Sequence, residues 1–244
     1  MINFKEIDAF LFDFGGTLDT NGTHWSEKFW EVYQKFDVPI YYEEFREAYI
    51  NAEPNVKKYI NKEDGLFSTL KAQVYLQIDY LTKKGIDLYG VKDKLITRIT
   101  EACYKDVISN ITDIKPILKS LKLSSKIGLV SNFYGNVKAV CKSLEIDSYF
   151  DVIVDSAELG ISKPDPQIFK AAIGYLKVNG EHAIVIGDSY DRDIIPAKKL
   201  GCKTVWLEGK SWKTEKSNDA ADLKINSLFD LEKYLLENDF KIKN

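Results

Sequence analysis

The sequence predicts an α/β protein in which a Rossmann-like parallel sheet forms the core and a helical cap domain is inserted into it. Two observations support this class. From Ile111 onward short apolar runs alternate with helical patterns, whereas residues 24–107 show helical spacing without a convincing strand. We therefore expect residues 1–20 and 110–244 to form the core domain and residues 21–109 to form the cap domain.

The core elements follow from short apolar runs that are bounded by turn-forming residues. Such runs are typical of buried strands, and their alternation with amphipathic stretches indicates a parallel sheet covered by helices. The predicted strands are 9–12, 126–131, 150–155, 183–187, 203–207 and 223–225, and the predicted helices between and after them are 114–123, 136–144, 166–178, 192–200 and 227–237.

The cap is predicted from large apolar side chains that recur at steps of three and four residues. Trp25, Phe29 and Tyr33 illustrate this spacing in the first of at least three amphipathic helices, and residues 91–107 suggest a fourth. We expect these aromatic side chains to form mainly the interior of a small bundle. The two hinges to the core are predicted at residues 20–23 and 109–113.

Composition excludes several classes of protein. The chain has 244 residues, with 34 basic against 37 acidic side chains, and the basic ones are scattered, which argues against nucleic-acid binding. No apolar stretch approaches the ~20 residues that cross a bilayer. The three cysteines lack metal-site or redox spacing and fit small core positions in a reducing compartment. We expect a soluble, cytoplasmic protein without a signal region, either a monomer or a homodimer.

Polar residues lie at the ends of three of the predicted strands and in one later loop. Asp13 ends the first apolar run, Ser131 and Asn132 end another, Lys163 lies in a later loop, and Asp188 ends the run at 183–187. The carboxyl ends of parallel strands meet at one edge of a sheet, where ligands bind. We therefore expect a carboxylate, a hydroxyl, an ammonium group and a second carboxylate to converge there.

These residues and their order resemble the four motifs of the haloacid dehalogenase (HAD) superfamily of hydrolases, over residues 8–207. The resemblance implies that Asp13 attacks the phosphorus of a small phosphorylated substrate and becomes a transient aspartyl phosphate. Lys163 would neutralise Asp13, and Ser131 would donate a hydrogen bond to a phosphoryl oxygen. The substrate-binding residues would be Gly16, Thr17 and Asn132.

The resemblance also implies a Mg²⁺ cofactor, because a phosphate dianion and two carboxylates repel one another without a cation. Asp13, the backbone carbonyl of Gly15 and Asp188 would hold the ion, and Asp193 would be a ligand or would orient one. The helical insertion after the first motif resembles the cap of this superfamily, which closes over the active site and excludes water.

The sequence departs from the phosphatases of this superfamily at Gly15. They have a second aspartate there, which protonates the leaving oxygen and later activates water. A proton shuttle contributes ~100- to 10,000-fold, and its loss matters most for a poorly stabilised alkoxide leaving group. A phosphatase with Gly15 would therefore favour good leaving groups or use another group; the candidates close to the motif are Asp19, His24 and Glu27.

The sequence leaves two alternatives to the phosphatase, which is the first interpretation. Related phosphonatases have a small residue at the Gly15 position and form a Schiff base with a cap lysine, and the lysines available in the insertion include Lys57, Lys58 and Lys62. The third interpretation is a phosphate-binding or regulatory protein with weak turnover. Intact Asp13, Lys163 and Asp188 argue against it, because a binding role needs no nucleophile.

Overall fold

Six parallel strands form one sheet in the computed structural model, which describes residues 2–88, 90–212 and 220–237. The predicted α/β class is confirmed, and all six predicted strands are present. They are β1 (Ala9–Phe12), β2 (Lys126–Ser131), β3 (Val152–Asp155), β4 (Ala183–Gly187), β5 (Lys203–Leu207) and β6 (Leu223–Ile225). Only β3 differs appreciably from the prediction, since it begins at Val152 and not at residue 150.

Four α-helices lie between β1 and β2 in the part of the chain that the structure describes. They are α1 (Trp25–Lys35), α2 (Tyr42–Ala52), α3 (Leu66–Lys83) and α4 (Lys92–Lys122). The aromatic side chains do form the shared interior of these helices, as predicted, because Phe29, Tyr33 and Phe45 are all buried. The rings of Tyr33 and Phe45 lie 5.2 Å apart, which joins α1 to α2. Apolar burial thus stabilises these helices as a bundle.

The predicted helices at 91–107 and 114–123 are wrong as two separate elements, because α4 runs without a break from Lys92 to Lys122. The polar residues at 109–113 look like a loop in the sequence, but they lie along one helix. Asn110 donates a hydrogen bond to the carbonyl of Leu18 at 2.7 Å, and the hydroxyl of Thr112 donates to the carbonyl of Ile108 at 2.8 Å. The division into domains stays a prediction, and its boundary at 109/110 falls inside this helix.

The sheet is the middle of three layers. Phe10 and Phe12 point to one face, where they pack with α4, whereas Ala9 and Leu11 point to the other, where they pack with the apolar side chains of residues 168–176. This alternation is the two-residue period of a strand. The helices around the sheet are α5 (Val137–Ser143), α6 (Ser156–Leu159), α7 (Gln167–Leu176), α8 (Ile195–Lys198) and α9 (Leu228–Glu237).

The strand order, β3-β2-β1-β4-β5-β6, places β1 beside both β2 and β4. The chain builds outward from β1 to β3 and then resumes on the other side at β4, so the topological switch point lies between β1 and β4. Open parallel sheets bind ligands outside the carboxyl ends of strands at such a point. Asp13 follows β1 and Asp188 follows β4, so both lie at the switch point.

The three cysteines, Cys103, Cys141 and Cys202, are buried and unpaired, as their apolar sequence context predicts. Among the described residues, none of the helices combines the length and the apolar composition that crossing a bilayer requires.

Candidate active site

The loop after β1 brings Asp13 to the edge of the sheet. The backbone N–H of Asp13 donates to the carbonyl of Ile186 at 2.9 Å, which ties the end of β1 to β4. Gly16 has φ of +94°, and a Cβ atom there would collide with the carboxylate of Asp188. Glycine is therefore required at position 16 for both backbone and space.

Position 15 is different, because nothing in the backbone demands a glycine. Gly15 has φ of −75°, which any residue adopts. A Cβ atom there would meet the Trp25 ring at 3.8 Å, an ordinary van der Waals distance. The indole of Trp25 borders this space, and its N–H donates to Asp19 at 2.7 Å. The missing carboxylate at position 15 is thus a chemical feature of the site and does not follow from steric need.

Three carboxylates converge at the switch point. One oxygen from each of Asp13, Asp188 and Asp193 lies within 4.8 Å of the others. The Lys163 Nζ lies 2.5 Å from Asp13 Oδ1 and 2.7 Å from Asp193 Oδ1. Burial alone would lower the pKa of Lys163, but the charges of Asp13 and Asp193 raise it, so the group stays an ammonium.

The acidic cluster contains more negative charge than Lys163 balances. Burial raises the pKa of Asp193 to about 6, with the charge of Asp13 adding to the effect. Desolvation, together with the charges of Asp13 and Asp193, holds the pKa of Asp188 well above its ordinary value. Three carboxylates against one ammonium leave an excess of two negative charges when all are ionised. Carboxylate oxygen donors with this excess, two buried and one partly exposed, fit a hard divalent cation.

The predicted metal residues are not equivalent. Asp193 accepts from Lys163 with one oxygen and from the backbone N–H of Ser189 at 3.2 Å with the other. Both of its oxygens are therefore held by the protein. Asp13 is held in the same way, by Lys163 at Oδ1 and by the Thr17 hydroxyl at Oδ2, whereas Asp188 Oδ1 lies 3.5 Å from that hydroxyl. Gly15 lines the same small cavity as the acidic residues.

Gly16 and Thr17 lie behind the site and line neither of the cavities described below, and their contact with substrate stays a prediction. Thr17 is fully buried. Its hydroxyl lies 3.1 Å from Asp13 Oδ2 and accepts the backbone N–H of Asp188 at 3.1 Å. Thr17 thus joins the loops after β1 and β4 and positions both carboxylates.

Ser131 and Asn132, at the end of β2, both reach the small cavity. The side chain of Asn132 donates to the carbonyl of Lys163 at 3.0 Å and accepts its N–H at 2.8 Å. This reciprocal pair fixes the Lys163 loop against the β2 loop, so Asn132 positions the lysine. The sequence had suggested only substrate contact or a turn cap for this residue.

Two cavities adjoin at this edge of the sheet. The small cavity, about 70 Å³, contains the acidic cluster, Lys163 and Ser131. The large cavity, about 750 Å³, lies between the inserted helices and the core. Aromatic side chains contribute much of its wall: Phe14, Trp25, Phe29, Tyr49, Phe133, Tyr134 and Trp212. Four residues line both cavities and mark their junction: Gly15, His24, Asn132 and Arg192.

Two features of the cavities were not predicted from the sequence. They are Arg192 at the junction and a polar cluster of Glu53, Gln73 and Tyr134 in the large cavity. Glu53 accepts from the Tyr134 hydroxyl at 2.8 Å and from the Gln73 amide at 3.2 Å. Arg192 could have been suspected as the cation among the acidic residues after β4. No sequence signal joins Glu53 to Tyr134, because they lie 81 residues apart.

Comparison with known proteins identifies the family. The fold and the four converging loops define an α/β protein with an acidic, lysine-containing site at the switch point. A sequence model of the haloacid dehalogenase-like hydrolases matches residues 7–201, and the chain belongs to this family, as the motifs predict.

Among individual proteins, the chain is 37% identical over 97 residues to a glyceraldehyde 3-phosphate phosphatase of Pyrococcus abyssi, covering 38% of this chain and 40% of that one. The chain spans about half the length of the relatives it matches.

Solved structures share the fold. A dehalogenase structure with an intermediate complex has a TM-score of 0.62 at 18% identity and covers 100% of both chains. The magnesium-bound HAD hydrolase YfnB of Bacillus subtilis has a TM-score of 0.59 at 16% identity, covering 94% of this chain and 98% of that one.

Proposed function

We propose that this protein is a Mg²⁺-dependent phosphatase that hydrolyses a small phosphorylated metabolite through an aspartyl-phosphate intermediate. The observation that supports this most is the buried contact between Lys163 and Asp13 within a cluster of three carboxylates. A buried, paired carboxylate at the carboxyl end of β1 is suited to attack, and the remaining acidic groups are suited to hold a cation.

In this mechanism Asp13 attacks the phosphorus atom, and the Lys163 ammonium lowers the repulsion between that carboxylate and the substrate dianion. Ser131, at the rim of the same cavity, donates to a phosphoryl oxygen. Asp13, Asp188 and the Gly15 carbonyl would hold Mg²⁺, with Asp193 orienting Lys163. The ion would neutralise charge on the phosphoryl oxygens. Arg192 at the junction attracts the dianion from the large cavity.

The large cavity supports a role for the inserted helices as a cap that receives the leaving group. Its volume of about 750 Å³ falls within the range of small-molecule sites. The Pyrococcus abyssi relative acts on a phosphorylated three-carbon compound by its name, which favours a small phosphorylated metabolite here. The division at residues 21–109 and a cytoplasmic location remain proposals of the same kind.

The test is hydrolysis of a panel of phosphate monoesters, acyl phosphates and phosphonates with Mg²⁺ and after its removal by chelation. We expect phosphate release that needs Mg²⁺ and a beryllofluoride adduct at Asp13. Asp13→Asn should abolish both, whereas Asp191→Asn, an exposed acid outside the cluster, should abolish neither. If no adduct formed with the wild-type protein, a phosphate-binding protein with weak turnover would replace this proposal.

A phosphonatase is the second candidate, because Lys57 lines the large cavity and position 15 is small. Lys57 would form a Schiff base with the aldehyde of a phosphonoaldehyde substrate. Borohydride should then trap a covalent adduct in the wild-type protein and in Lys58→Arg but not in Lys57→Arg. Absence of an adduct in the wild-type protein would exclude this reaction.

A further inference from the structure

A carboxylate in the wall of the large cavity is only partly balanced by the protein. Glu53 directly follows α2 and accepts from the Tyr134 hydroxyl at 2.8 Å and from the Gln73 side-chain amide at 3.2 Å. Both donors are neutral. Burial raises the pKa of Glu53, and these two hydrogen bonds and the charge of Arg192 offset that effect in part. A cationic ligand would therefore stabilise the charged form of this carboxylate.

Gln73, in α3, adds a second acceptor at the same place. The residue is 4% exposed and lines the large cavity. Its amide nitrogen donates to Glu53, whereas its amide oxygen has no hydrogen-bond partner among the described residues. A buried carbonyl oxygen without a donor is costly. Glu53 and Gln73 thus offer neighbouring acceptors that a ligand with several N–H groups can satisfy together.

The aromatic wall around these two residues favours a cation over a neutral donor, because aromatic rings attract ammonium groups. Tyr49 and Trp212 belong to this wall, with ring centroids 5.2 Å apart and planes at 85°. Burial raises the pKa of Tyr49 well above its ordinary value, and the charges of Glu53 and Asp188 both add to the effect. Tyr49 is therefore within electrostatic range of Glu53 and of the acidic cluster, so one small molecule can extend from one to the other.

The other charged side chains in the wall are less suited to receive a leaving group. Both oxygens of Asp19 already accept a hydrogen bond, at 2.8 and 2.7 Å. Lys57 is exposed, so solvent screens its charge. Arg192 lines the small cavity as well as the large one, which places it beside a bound phosphoryl group. Glu53 is the charged group of the large cavity that a ligand can pair with.

We propose, on the basis of the phosphatase function above, that the substrate is a phosphate monoester of an amino alcohol, whose ammonium group binds between Glu53 and Gln73 while its phosphoryl group lies beside Asp13. The ammonium pairs with the Glu53 carboxylate and donates a hydrogen bond to the Gln73 amide oxygen. A trimethylammonium group has no N–H and satisfies neither acceptor by a hydrogen bond. The site therefore selects a primary amine over a quaternary one.

The experiment measures kcat/KM in the presence of Mg²⁺ for matched pairs of esters. Each pair consists of an ω-aminoethyl, ω-aminopropyl or ω-aminobutyl phosphate and the n-alkyl phosphate in which a methyl group replaces the ammonium. The chain length reports the reach from Asp13 to Glu53. We expect the amine to be preferred by about tenfold or more in at least one pair, mainly through a lower KM, because a site built for N–H donors rejects the analogue that lacks them.

The variants separate this preference from the intrinsic reactivity of the esters. Glu53→Gln keeps the shape of the side chain and removes its charge, so the preference should fall to about threefold or less while the n-alkyl phosphates react as in the wild type. Gln73→Met removes only the amide acceptor and should lower the preference in part. The matched control is Glu63→Gln, an exposed glutamate that lines neither cavity, which should leave the preference unchanged.

Equal kcat/KM values within every pair in the wild type, or a preference that survives Glu53→Gln, would overturn the amine site and leave the phosphatase function intact. An equal loss on both members of each pair in Glu53→Gln would also overturn it, because that outcome shows a merely structural role. A wild-type protein that hydrolyses neither these esters nor p-nitrophenyl phosphate would instead overturn the proposed function itself.

Discussion

The small and large cavities share a wall but are built in different ways. Most residues that line the small cavity lie at strand ends or in the loops beside them, such as Asp13 after β1 and Asp188 after β4. The large cavity joins side chains from three inserted helices to side chains from the core, such as Phe29, Leu70 and Phe133. Charge dominates the small cavity and aromatic surface the large one, so the proposed phosphate chemistry and leaving-group selection would occupy separate parts of the molecule.

The two cavities also differ in how completely their polar side chains are hydrogen-bonded. At the small cavity, Lys163 joins Asp13 to Asp193, and Thr17, which lies behind the cavity, donates to Asp13, so the acidic side chains belong to a connected network. In the large cavity, Gln73 donates to Glu53, but its own buried amide oxygen has no hydrogen-bond partner among the described residues. Buried polar groups without partners are costly. The polar side chains of the small cavity therefore have defined hydrogen-bond partners. In the large cavity, a substrate or a rearrangement of neighbouring side chains can still provide the partners that are missing.

The largest effect is expected for Lys163→Ala. The substitution leaves Asp13 and Asp193 buried without their shared ammonium, and breaking a buried ion pair costs about 3–5 kcal/mol. We expect a lower free energy of unfolding, measured by urea denaturation, and loss of phosphate release. Lys58→Ala, at an exposed position, should change neither quantity. An unchanged unfolding free energy in Lys163→Ala would contradict the connected network.

A second prediction contrasts the two glycines after Asp13. Gly16→Ala should cost about 2 kcal/mol or more, because the residue has positive φ and its Cβ collides with Asp188. Gly15→Ala should stay within about 1 kcal/mol of the wild type, because its backbone and surroundings accept a Cβ atom. Urea denaturation measures both. Equal destabilisation by the two substitutions would refute this distinction.

A third prediction concerns Glu53 in the large cavity. Burial raises the pKa of this carboxyl, so its unfavourable contribution to folding grows as the pH rises above the ordinary value for glutamate. Glu53→Gln removes the titration, and Gln73 can turn its unpartnered oxygen toward the new amide. The melting temperature of the variant relative to the wild type should therefore increase between about pH 5 and about pH 8.

The matched control for this titration is Glu63→Gln, which removes an exposed glutamate near the same helices. A difference in melting temperature between Glu53→Gln and the wild type that stays constant with pH, or becomes smaller toward high pH, would show that burial of Glu53 does not govern its titration.

The smallest effect is expected for Lys57→Ala. Lys57 is exposed at the wall of the large cavity, and an exposed charge contributes about 0.2–1 kcal/mol. KM for a substrate with an anionic leaving group should rise by about five-fold at most, with kcat unchanged. Lys58→Ala is the control, since Lys58 donates to Asn55 at 2.7 Å and does not line the cavity. A large fall in kcat would point to Schiff-base chemistry.

Much of the small cavity could be predicted because most of its residues lie within a few positions of a strand end in the sequence. Parallel pairing sets Phe12 beside both Leu129 and Ile186, so the residues that follow these strands must emerge together. The apolar runs thus predicted the convergence of Asp13, Ser131 and Asp188 without any knowledge of distances. The same reasoning could not rank Asp19, His24 and Glu27, because all three lie close to the first motif in sequence.

The sequence by itself determined the order of the strands along the chain, the α/β class, the acidic and basic groups of the site and the absence of a carboxylate at position 15. Only the tertiary structure decided that α4 is one helix, that Thr17 faces the two carboxylates, and that His24 lies at the junction of the cavities. The physical reason is the distance along the chain over which a signal can be recognised. Periodicity and turn residues reflect only a few neighbouring residues, whereas the contact of Thr17 with Asp188 joins residues that are 171 positions apart.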